Sequence, residues 1–326
     1  MPVFVTRVVL GIVFLGIVVC LIPDVEKKQE KEPARQLSSI PRSNIVPLPK
    51  DLKVVDDVVY HPGKKTRWRM NLVLPQQVET QPRPALVFVY AGGGSGGNNT
   101  TRHSRTGPLH YARKGYVCVS LYHRLSDETS FADCLEDLKC AIRWMRAHAD
   151  KYQIDPERIG AFGNANGGSM VCLVGLMKQS QQVDSSAPWH DQSSELNAFC
   201  VTATPTDYLS WADGIEHLPR MIHLTWKNED ELKTEVAKIS PITYVRGDAP
   251  PMLVMHGVLD PFVDVSQADQ FVAALKSAGA RDVTYYRSDE AGHAVFLRDQ
   301  TQTFPMMEDF FARTLGYPKG YKVAQR

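Results

Sequence analysis

The stretch RIGAFGNANGGSM, residues 158–170, joins a short apolar run to a helical pattern through a turn made mostly of glycine and asparagine. Glycines stand two positions before and two positions after the apex, Ala165. In so tight a strand-to-helix turn, a side chain at either glycine position would collide with the neighbouring strand or helix. The apex side chain projects out of the junction, and here it is only a methyl group. We therefore predict a strand, a sharp turn with a positive φ at Ala165, and a helix.

Unbroken apolar runs recur on both sides of this turn. A strand buried on both faces of a sheet has such a run, and helical patterns with three- and four-residue spacing fall between the runs. This alternation predicts an α/β fold, with a mostly parallel central sheet and helices on both faces, that begins with antiparallel strands within 51–74. The predicted strands are 85–90, 116–121, 158–162, 198–204, 251–256 and 282–287, and the predicted helices are 131–152, 168–178, 266–279 and 303–315, with a short helical turn after Asp155-Pro156.

A glycine run follows the first of the parallel strands. Gly92, Gly93 and Gly94 come just after residues 85–90, at a strand end where open α/β sheets place their sites. Glycines let backbone N–H groups approach an oxyanion closely, and the N–H of Asn166, the residue after the apex, would be the second donor. A plain flexible loop is the alternative explanation for a glycine run taken by itself.

An acid and a histidine lie at two further strand ends. Asp260 follows the strand 251–256 in the context HGVLD, and His293 follows the strand 282–287 in the context AGHA. A general base needs a carboxylate that fixes its tautomer, and the order of apex, acid and histidine is that of a catalytic triad on this kind of sheet. Singly, Asp260 could cap a helix and His293 could lie in a surface loop. Together they predict an acid–base pair.

With these motifs, residues 51–316 resemble the α/β-hydrolase superfamily, and within it the esterases and lipases with an HGGG loop, including the group similar to bacterial feruloyl esterase domains (BD-FAE). The resemblance implies an α/β-hydrolase fold and a carboxylic ester hydrolase that needs no cofactor and no metal. It implies Asp260 and His293 as partners of a serine at position 165, and Gly92, Gly93, Gly94 and Asn166 as the oxyanion hole. The family's H-G-G-G corresponds to residues 91–94, its G-x-S-A-G-G elbow to 163–168, its H-G-x-x-D to 256–260 and its G-H to Gly292-His293.

The chain departs from the family pattern at three positions. Ala91 stands for the loop histidine, Asn166 for an alanine, and Ala165 for the nucleophilic serine. No neighbour repairs the last loss, because Ser169 lies about one helical turn further on and Asn164 should project sideways. Removing the nucleophile of a triad lowers turnover by about 10⁶, so ester hydrolysis through an acyl-enzyme is not expected.

Three interpretations of the site remain open. The first is an esterase homologue that binds an ester, acyl or sugar-linked ligand, or no ligand, without acyl-enzyme chemistry; the loss of two motif residues, at Ala91 and Ala165, favours it. The second is an active carboxylesterase whose serine was replaced to trap substrate. The third is a slow hydrolase in which His293, held by Asp260, activates a water molecule.

The amino-terminal segment predicts export. Residues 8–22 carry no charge and follow Arg7, as in a secretory signal, and the run is shorter than the roughly 20 residues of a spanning helix. No A-x-A-like cleavage site follows it, so a signal peptide over 1–22 and a membrane anchor through 8–22 both remain open. The polar segment 23–50 predicts a disordered linker. Residues 51–326 are then the single domain of a periplasmic, extracellular or membrane-anchored protein.

The composition argues against several other functions. Lysine and arginine total 37 against 36 acidic residues, a net charge of +1, so we expect no nucleic-acid partner. Seven of the ten histidines, those from His103 to His223, share no ligand spacing, and no C-x-x-C motif occurs, so no metal site is predicted. Cys134 and Cys140 lie about 9 Å apart along one helix, too far for a disulfide. Trp189, Trp211 and Trp226 fall where this fold inserts cap elements, and there they either line a pocket or pack.

Overall fold

The computed structural model of the protein describes residues 50–62, 68–77, 81–90, 102–123, 130–178, 186–211 and 228–316. All of the described residues belong to one compact unit. The predictions for the signal segment 1–22, for nearly all of the linker 23–50, and for the glycine loop Gly92 to Gly94 concern residues outside these ranges. Within them, no helix is both long enough and apolar enough to cross a membrane.

The strands in the described ranges form one mostly parallel sheet, which confirms the predicted fold class. They are β1 Leu52–Val59, β2 Arg69–Pro75, β3 Arg83–Val89, β4 Val117–Leu121, β5 Ile154–Asn164, β6 Ala198–Thr202, β7 Met252–Gly257 and β8 Val283–Ser288. Their order across the sheet is β1-β2-β4-β3-β5-β6-β7-β8. β2 runs antiparallel to β1 and to β4, and all of the other neighbouring pairs are parallel. The carboxyl ends of β5, β6, β7 and β8 therefore share one edge.

Helices flank the sheet. They are α1 Arg102–Arg113, α2 Phe131–Ala147, α3 Ala149–Tyr152, α4 Asn166–Leu176, α5 Glu229–Ile239, α6 Ser266–Ser277, α7 Val295–Arg298 and α8 Gln300–Leu315, with a 3-10 turn at Pro241–Tyr244. A capping box starts α2, in which the Ser130 hydroxyl accepts the N–H of Asp133 at 3.1 Å and the Asp133 carboxylate accepts the N–H of Ser130 at 3.0 Å. These bonds satisfy N–H groups that a helix start leaves unpaired.

Side-chain alternation along the strands builds two apolar cores, one on each face of the sheet. In β3, Ala85, Val87 and Val89 belong to one core, whereas Leu86 and Phe88 belong to the other. The first core is covered by α2, α4 and α6, and the second by α1 and α8. Burying each large apolar side chain contributes about 1.5–3 kcal/mol, so the central strands anchor both layers and hold the sheet edge in place.

The helical turn predicted after Asp155-Pro156 is wrong. β5 already begins at Ile154, which pairs with Arg83 of β3. The Asp155 carboxylate accepts the N–H of Glu157 at 3.0 Å, so its capping bond forms within an extended segment. Pairing across the sheet has overridden the local helical signal.

Two further details differ from the prediction. The helix predicted over 131–152 is interrupted at His148, whose backbone has φ −115° and ψ 21°. The N–H of His148 still donates to the Trp144 carbonyl at 3.0 Å, and its Nδ1 lies 2.9 Å from the same oxygen. α1 and α5 were not predicted; α1 contains Gly107-Pro108, a pair typical of turns. A Cβ at Gly107 would lie 2.7 Å from the Phe88 ring, so packing against β3 requires this glycine. None of the cysteines in the described ranges forms a disulfide.

Candidate active site

The turn between β5 and α4 has the sharp backbone that the glycine spacing predicts. Ala165 has φ 51° and ψ −127°, a region that costs a residue with a side chain about 1–3 kcal/mol. Its N–H donates to the carbonyl of Thr202 in β6 at 3.0 Å, and its carbonyl accepts the N–H of Ser169 in α4 at 3.2 Å. The sheet and the helix thus hold the apex from both sides, and the predicted positive φ is confirmed.

Close contacts explain the glycines around the apex. A Cβ at Gly163 would lie 2.6 Å from the Cα of Gly168. A Cβ at Gly167 would strike the carbonyl oxygen of Val89 at the end of β3, and one at Gly168 would strike the side chain of Thr204. The glycines, and not the apex side chain, therefore allow this turn to form.

Asp260 and His293 meet, as their places in the sequence suggest. Nδ1 of His293 lies 2.8 Å from Oδ2 of Asp260 and 3.1 Å from Oδ1. The Asp260 side chain is fully buried, whereas 28% of the His293 side chain is exposed. A carboxylate only accepts hydrogen bonds, so Nδ1 carries the hydrogen and Nε2 of the neutral ring is left with a lone pair. This is the tautomer that a general base needs.

The surroundings of Asp260 keep it ionised. Its Oδ1 accepts the backbone N–H of Phe262 at 2.9 Å and that of Val263 at 3.0 Å. Burial raises the pKa of the Asp260 carboxyl, but hydrogen bonds from His256, His293 and these two N–H groups outweigh burial and hold the pKa well below its usual range. At neutral pH a negative charge therefore faces the His293 imidazole.

A second imidazole on the same carboxylate is a feature that the sequence analysis missed. His256 of β7 was considered only as part of the H-G-x-x-D motif. Its Nε2 lies 2.8 Å from the carbonyl of Val263 and 3.4 Å from Oδ2 of Asp260; both are acceptors, so Nε2 carries the hydrogen. Nδ1 is buried and has no hydrogen-bond partner among the described residues. His256 thus ties the turn after Asp260 to β7, and the four-residue spacing was its only signal.

Next to the apex, Asn166 joins a buried chain of hydroxyl groups. The Tyr208 hydroxyl lies 3.2 Å from Oδ1 of Asn166 and 3.0 Å from Oγ of Ser169. The Ser169 hydroxyl donates to a backbone carbonyl at 2.6 Å, and Ser169 is fully buried. Ser169 is therefore in no position to replace a nucleophile. Asn164 projects sideways, as predicted, and donates to Oγ1 of Thr202 at 3.1 Å.

The structure brings the apex, the acid and the histidine to one edge of the sheet. Ala165 follows β5, Asp260 follows β7 and His293 follows β8. The N–H of Asn166, at the start of α4, belongs to the first helical turn, whose N–H groups have no intrahelical partner. Such an arrangement can accept a proton at Nε2 of His293 and donate a hydrogen bond from Asn166, but its apex carries no atom that can bond to a carbonyl carbon. The other predicted donors, Gly92 to Gly94, lie outside the described residues.

The tryptophans singled out in the sequence have different surroundings. The Trp211 indole donates to the carbonyl of Phe262 at 3.0 Å, beside the acid. Trp189 packs on the core and donates to the carbonyl of Tyr60 at 2.9 Å. Trp226 lies outside the described residues. In the part of the chain that the structure describes, no three histidine, cysteine, aspartate or glutamate residues are grouped to hold a metal ion.

Residues 70–275 match the model of the BD-FAE family, a range that contains the elbow and the acid. The chain belongs to the BD-FAE family. Among curated proteins, this BD-FAE chain is 29% identical to esterase LipC of Mycobacterium tuberculosis, over 71% of the chain and 57% of LipC. It is 28% identical to esterase LipQ of the same organism, over 81% of the chain and 64% of LipQ. The match therefore spans only a little over half of the length of these relatives.

Solved structures agree on the fold of this BD-FAE protein. A truncated carbohydrate esterase from gut microbiota superposes with a TM-score of 0.70 at 24% identity, over 80% of this chain and 96% of that one. An esterase from the Planctomycetes species Thermogutta terrifontis superposes with a TM-score of 0.67 at 24% identity, over 83% of this chain and 95% of that one. Both are esterases, and their similarity to the present chain establishes an α/β-hydrolase fold.

Proposed function

We propose that this BD-FAE protein binds carboxylic esters at the sheet edge and forms no acyl-enzyme with them. The observation that carries the proposal is a complete strand-to-helix elbow with Ala165 at its apex, together with a complete Asp260–His293 pair. Everything that the described residues contribute to a triad is in place except the nucleophilic oxygen.

The chemistry of each group follows from its hydrogen bonds. In acyl transfer a hydroxyl gives its proton to the imidazole and attacks the ester carbonyl. The methyl group of Ala165 has no lone pair, so no bond to the carbonyl carbon forms. Nε2 of His293 still accepts a hydrogen bond, and the N–H of Asn166 still donates one to a carbonyl oxygen. These two groups hold an ester without cleaving it.

The relatives support an ester as the ligand class. LipC and LipQ are esterases by name, and a third relative from the same organism, LipM, is described as a probable carboxylic ester hydrolase, 27% identical over 66% of this chain. Because the chain spans only part of these proteins, the ligand is proposed for this chain on its own residues. The replacement of serine by alanine at position 165, natural or introduced, belongs to the same proposal.

Slow hydrolysis by an activated water is the second candidate. It is favoured by one observation: His293 is partly exposed and its Nδ1 is held by an ionised carboxylate. A water molecule at Nε2 would give up its proton to the ring as it attacks a bound ester. Triads without their nucleophile still accelerate the reaction about 10³–10⁴-fold over the uncatalysed rate, so turnover by this route would stay low.

Ester binding and turnover are measured separately. We expect butyl butyrate to shift the NMR signals of the His293 imidazole in a saturable manner, and His293→Ala to weaken binding. With p-nitrophenyl acetate we expect no acetyl adduct by mass spectrometry and nitrophenol release equal to that of His293→Ala. A burst with a stoichiometric adduct would overturn the proposal. Release above that of His293→Ala, without an adduct, would establish the water mechanism instead.

A further inference from the structure

Two exposed apolar side chains lie in the loop that carries the acid of the candidate site. Four large apolar side chains stand out as exposed among the described residues, Val59, Leu209, Leu259 and Phe262. Three of them lie in the loops after β6 and β7, whereas Val59 lies in β1 at the far end of the sheet. Isolated exposed apolar residues are ordinary, but a group at a site indicates a surface that contacts a ligand.

Leu259 and Phe262 flank the acid in the sequence, and the N–H of Leu259 bonds to Ala291, two residues before His293. Each is 63% exposed. The Phe262 ring stands nearly perpendicular to the His293 imidazole, with ring centroids 5.2 Å apart and an interplanar angle of 78°. A molecule held at the imidazole therefore lies within reach of the Phe262 ring.

The backbone that carries these two side chains is rigidly held. The N–H of Phe262 donates to Asp260 at 2.9 Å, and the carbonyl of Phe262 accepts the Trp211 indole at 3.0 Å. The N–H of Leu259 donates to the carbonyl of Ala291 at 3.0 Å. A preformed surface loses little conformational entropy on binding, so the exposed rings and methyl groups are ready to contact a ligand.

The charge of the two loops selects against anions. Residues 205–211 and 256–266 contain no lysine and no arginine, but they contain Asp207, Asp260 and Asp264. A carboxylate or phosphate on the ligand would meet like charges here and would find no cation from these loops. An uncharged apolar group meets no such repulsion.

We propose that Leu259 and Phe262 form an apolar contact surface for an uncharged substituent of the ester, and that they make the site selective for neutral esters with a bulky apolar group. This proposal rests on the proposed ester binding. It identifies the ligand class by two features, apolar bulk and the absence of a negative charge, and it assigns the selection to two residues outside the acid–base pair.

The test compares affinities measured by ligand-observed NMR on the full chain. Butyl butyrate is the apolar neutral probe, ethyl acetate the small neutral probe, and monobutyl succinate a probe of similar size that carries a carboxylate at pH 7. We expect the affinity for butyl butyrate to fall about tenfold in Phe262→Ala and about threefold in Leu259→Ala, and the affinity for ethyl acetate to change little. Val59→Ala is the matched control, because it truncates an exposed apolar side chain away from the site, and it should change no affinity. In the parent chain, monobutyl succinate should bind at least about tenfold more weakly than butyl butyrate.

The outcomes separate the two proposals. If butyl butyrate binds with one affinity to the parent, Phe262→Ala and Leu259→Ala, ester binding stands and the apolar contact surface is refuted. If monobutyl succinate binds as tightly as butyl butyrate, the selection against anions is refuted. If no probe binds the parent, the proposed ester binding fails and this inference fails with it. Because both side chains are largely exposed, unchanged melting temperatures are expected for the variants and would establish that each is folded.

Discussion

Restoring a serine at the apex, Ala165→Ser, is the most demanding test of the active-site assignment. The substitution adds one oxygen to a Cβ that the strained elbow already positions at φ 51° and ψ −127°. The backbone cost of about 1–3 kcal/mol is present with either side chain. We therefore expect the free energy of unfolding to change by less than about 1 kcal/mol, so that a change in activity reports on chemistry and not on folding.

The expected gain follows from how triads lose activity. Removing a triad serine lowers kcat by about 2 × 10⁶, and here the acid and the base are already joined at 2.8 Å. The loop residue Ala91 is the weak point: a loop without its imidazole can hold the glycine N–H groups out of place, and one lost oxyanion donor costs about 10² to 10³. Ala165→Ser should therefore raise turnover above the parent by between about 10³ and 10⁶.

The assay follows hydrolysis of p-nitrophenyl acetate and of a feruloyl ester. The parent, Ala165→Ser and the double variant Ala165→Ser with Ala91→His form one series. We expect the double variant to equal or exceed the single one, since an imidazole at residue 91 restores the family's loop. Ala165→Ser with His293→Ala is the control, and it should fall back to the activity of the parent.

One result would refute this reasoning. If Ala165→Ser and the double variant keep the melting temperature of the parent and yet show no more than its turnover, the site lacks more than its nucleophile. A binding or purely structural role would then be the better interpretation, and the order of apex, acid and histidine would carry no catalytic meaning in this chain.

Three further predictions concern stability, measured as the free energy of unfolding in urea. Gly163→Ala should lower the free energy of unfolding by more than about 3 kcal/mol, because its Cβ would lie 2.6 Å from the Cα of Gly168. Gly279→Ala is the comparison: its Cβ would meet open space, but its φ is 82°, so the loss should be about 1 kcal/mol. His256→Leu should cost about 1–3 kcal/mol, since it leaves a buried carbonyl without its donor, whereas His256→Gln keeps an N–H and should cost less. The pKa of Asp260 is lowered on folding, so the ionised carboxylate stabilises the fold fully above about pH 4, and this stabilisation is lost as the pH falls below that value. Asp260→Asn should therefore lose less stability than the parent between pH 4 and pH 2.

Each of these comparisons has an opposing outcome. Equal losses for Gly163→Ala and Gly279→Ala would mean that the elbow relaxes without cost. Equal losses for His256→Leu and His256→Gln would mean that the imidazole N–H does not stabilise the turn after Asp260. Parallel acid profiles for Asp260→Asn and the parent would mean that other carboxyl groups account for acid unfolding.

The elements nearest the apex show how much the sequence alone predicts. The turn at Ala165 and its positive φ were predictable because the glycines two positions away act through contacts made within a few residues. The parallel strands were predictable because burial on both faces leaves an unbroken apolar run. Asp155-Pro156 shows the limit of local signals, since pairing of Ile154 with β3 replaced the expected helical turn.

The candidate site, too, could be predicted from the sequence only in part. Ala165, Asp260 and His293 could be proposed from the sequence because each follows a predicted strand, and parallel strands bring their carboxyl ends to one edge. Their hydrogen bonds could not be predicted, because 33 residues separate Asp260 from His293 and the approach depends on the packing of β7 and β8.

By itself, the sequence determined the fold class, the elbow and the absence of a hydroxyl at its apex, since these depend on residue identity and on short-range sterics. Only the tertiary structure decided that His256 shares the Asp260 carboxylate, that Trp211 holds Phe262 across 51 residues, and that Phe262 stays exposed beside the imidazole. The physical reason is that these features depend on which loops meet at the sheet edge, and that meeting is set by strand order and core packing rather than by any local pattern.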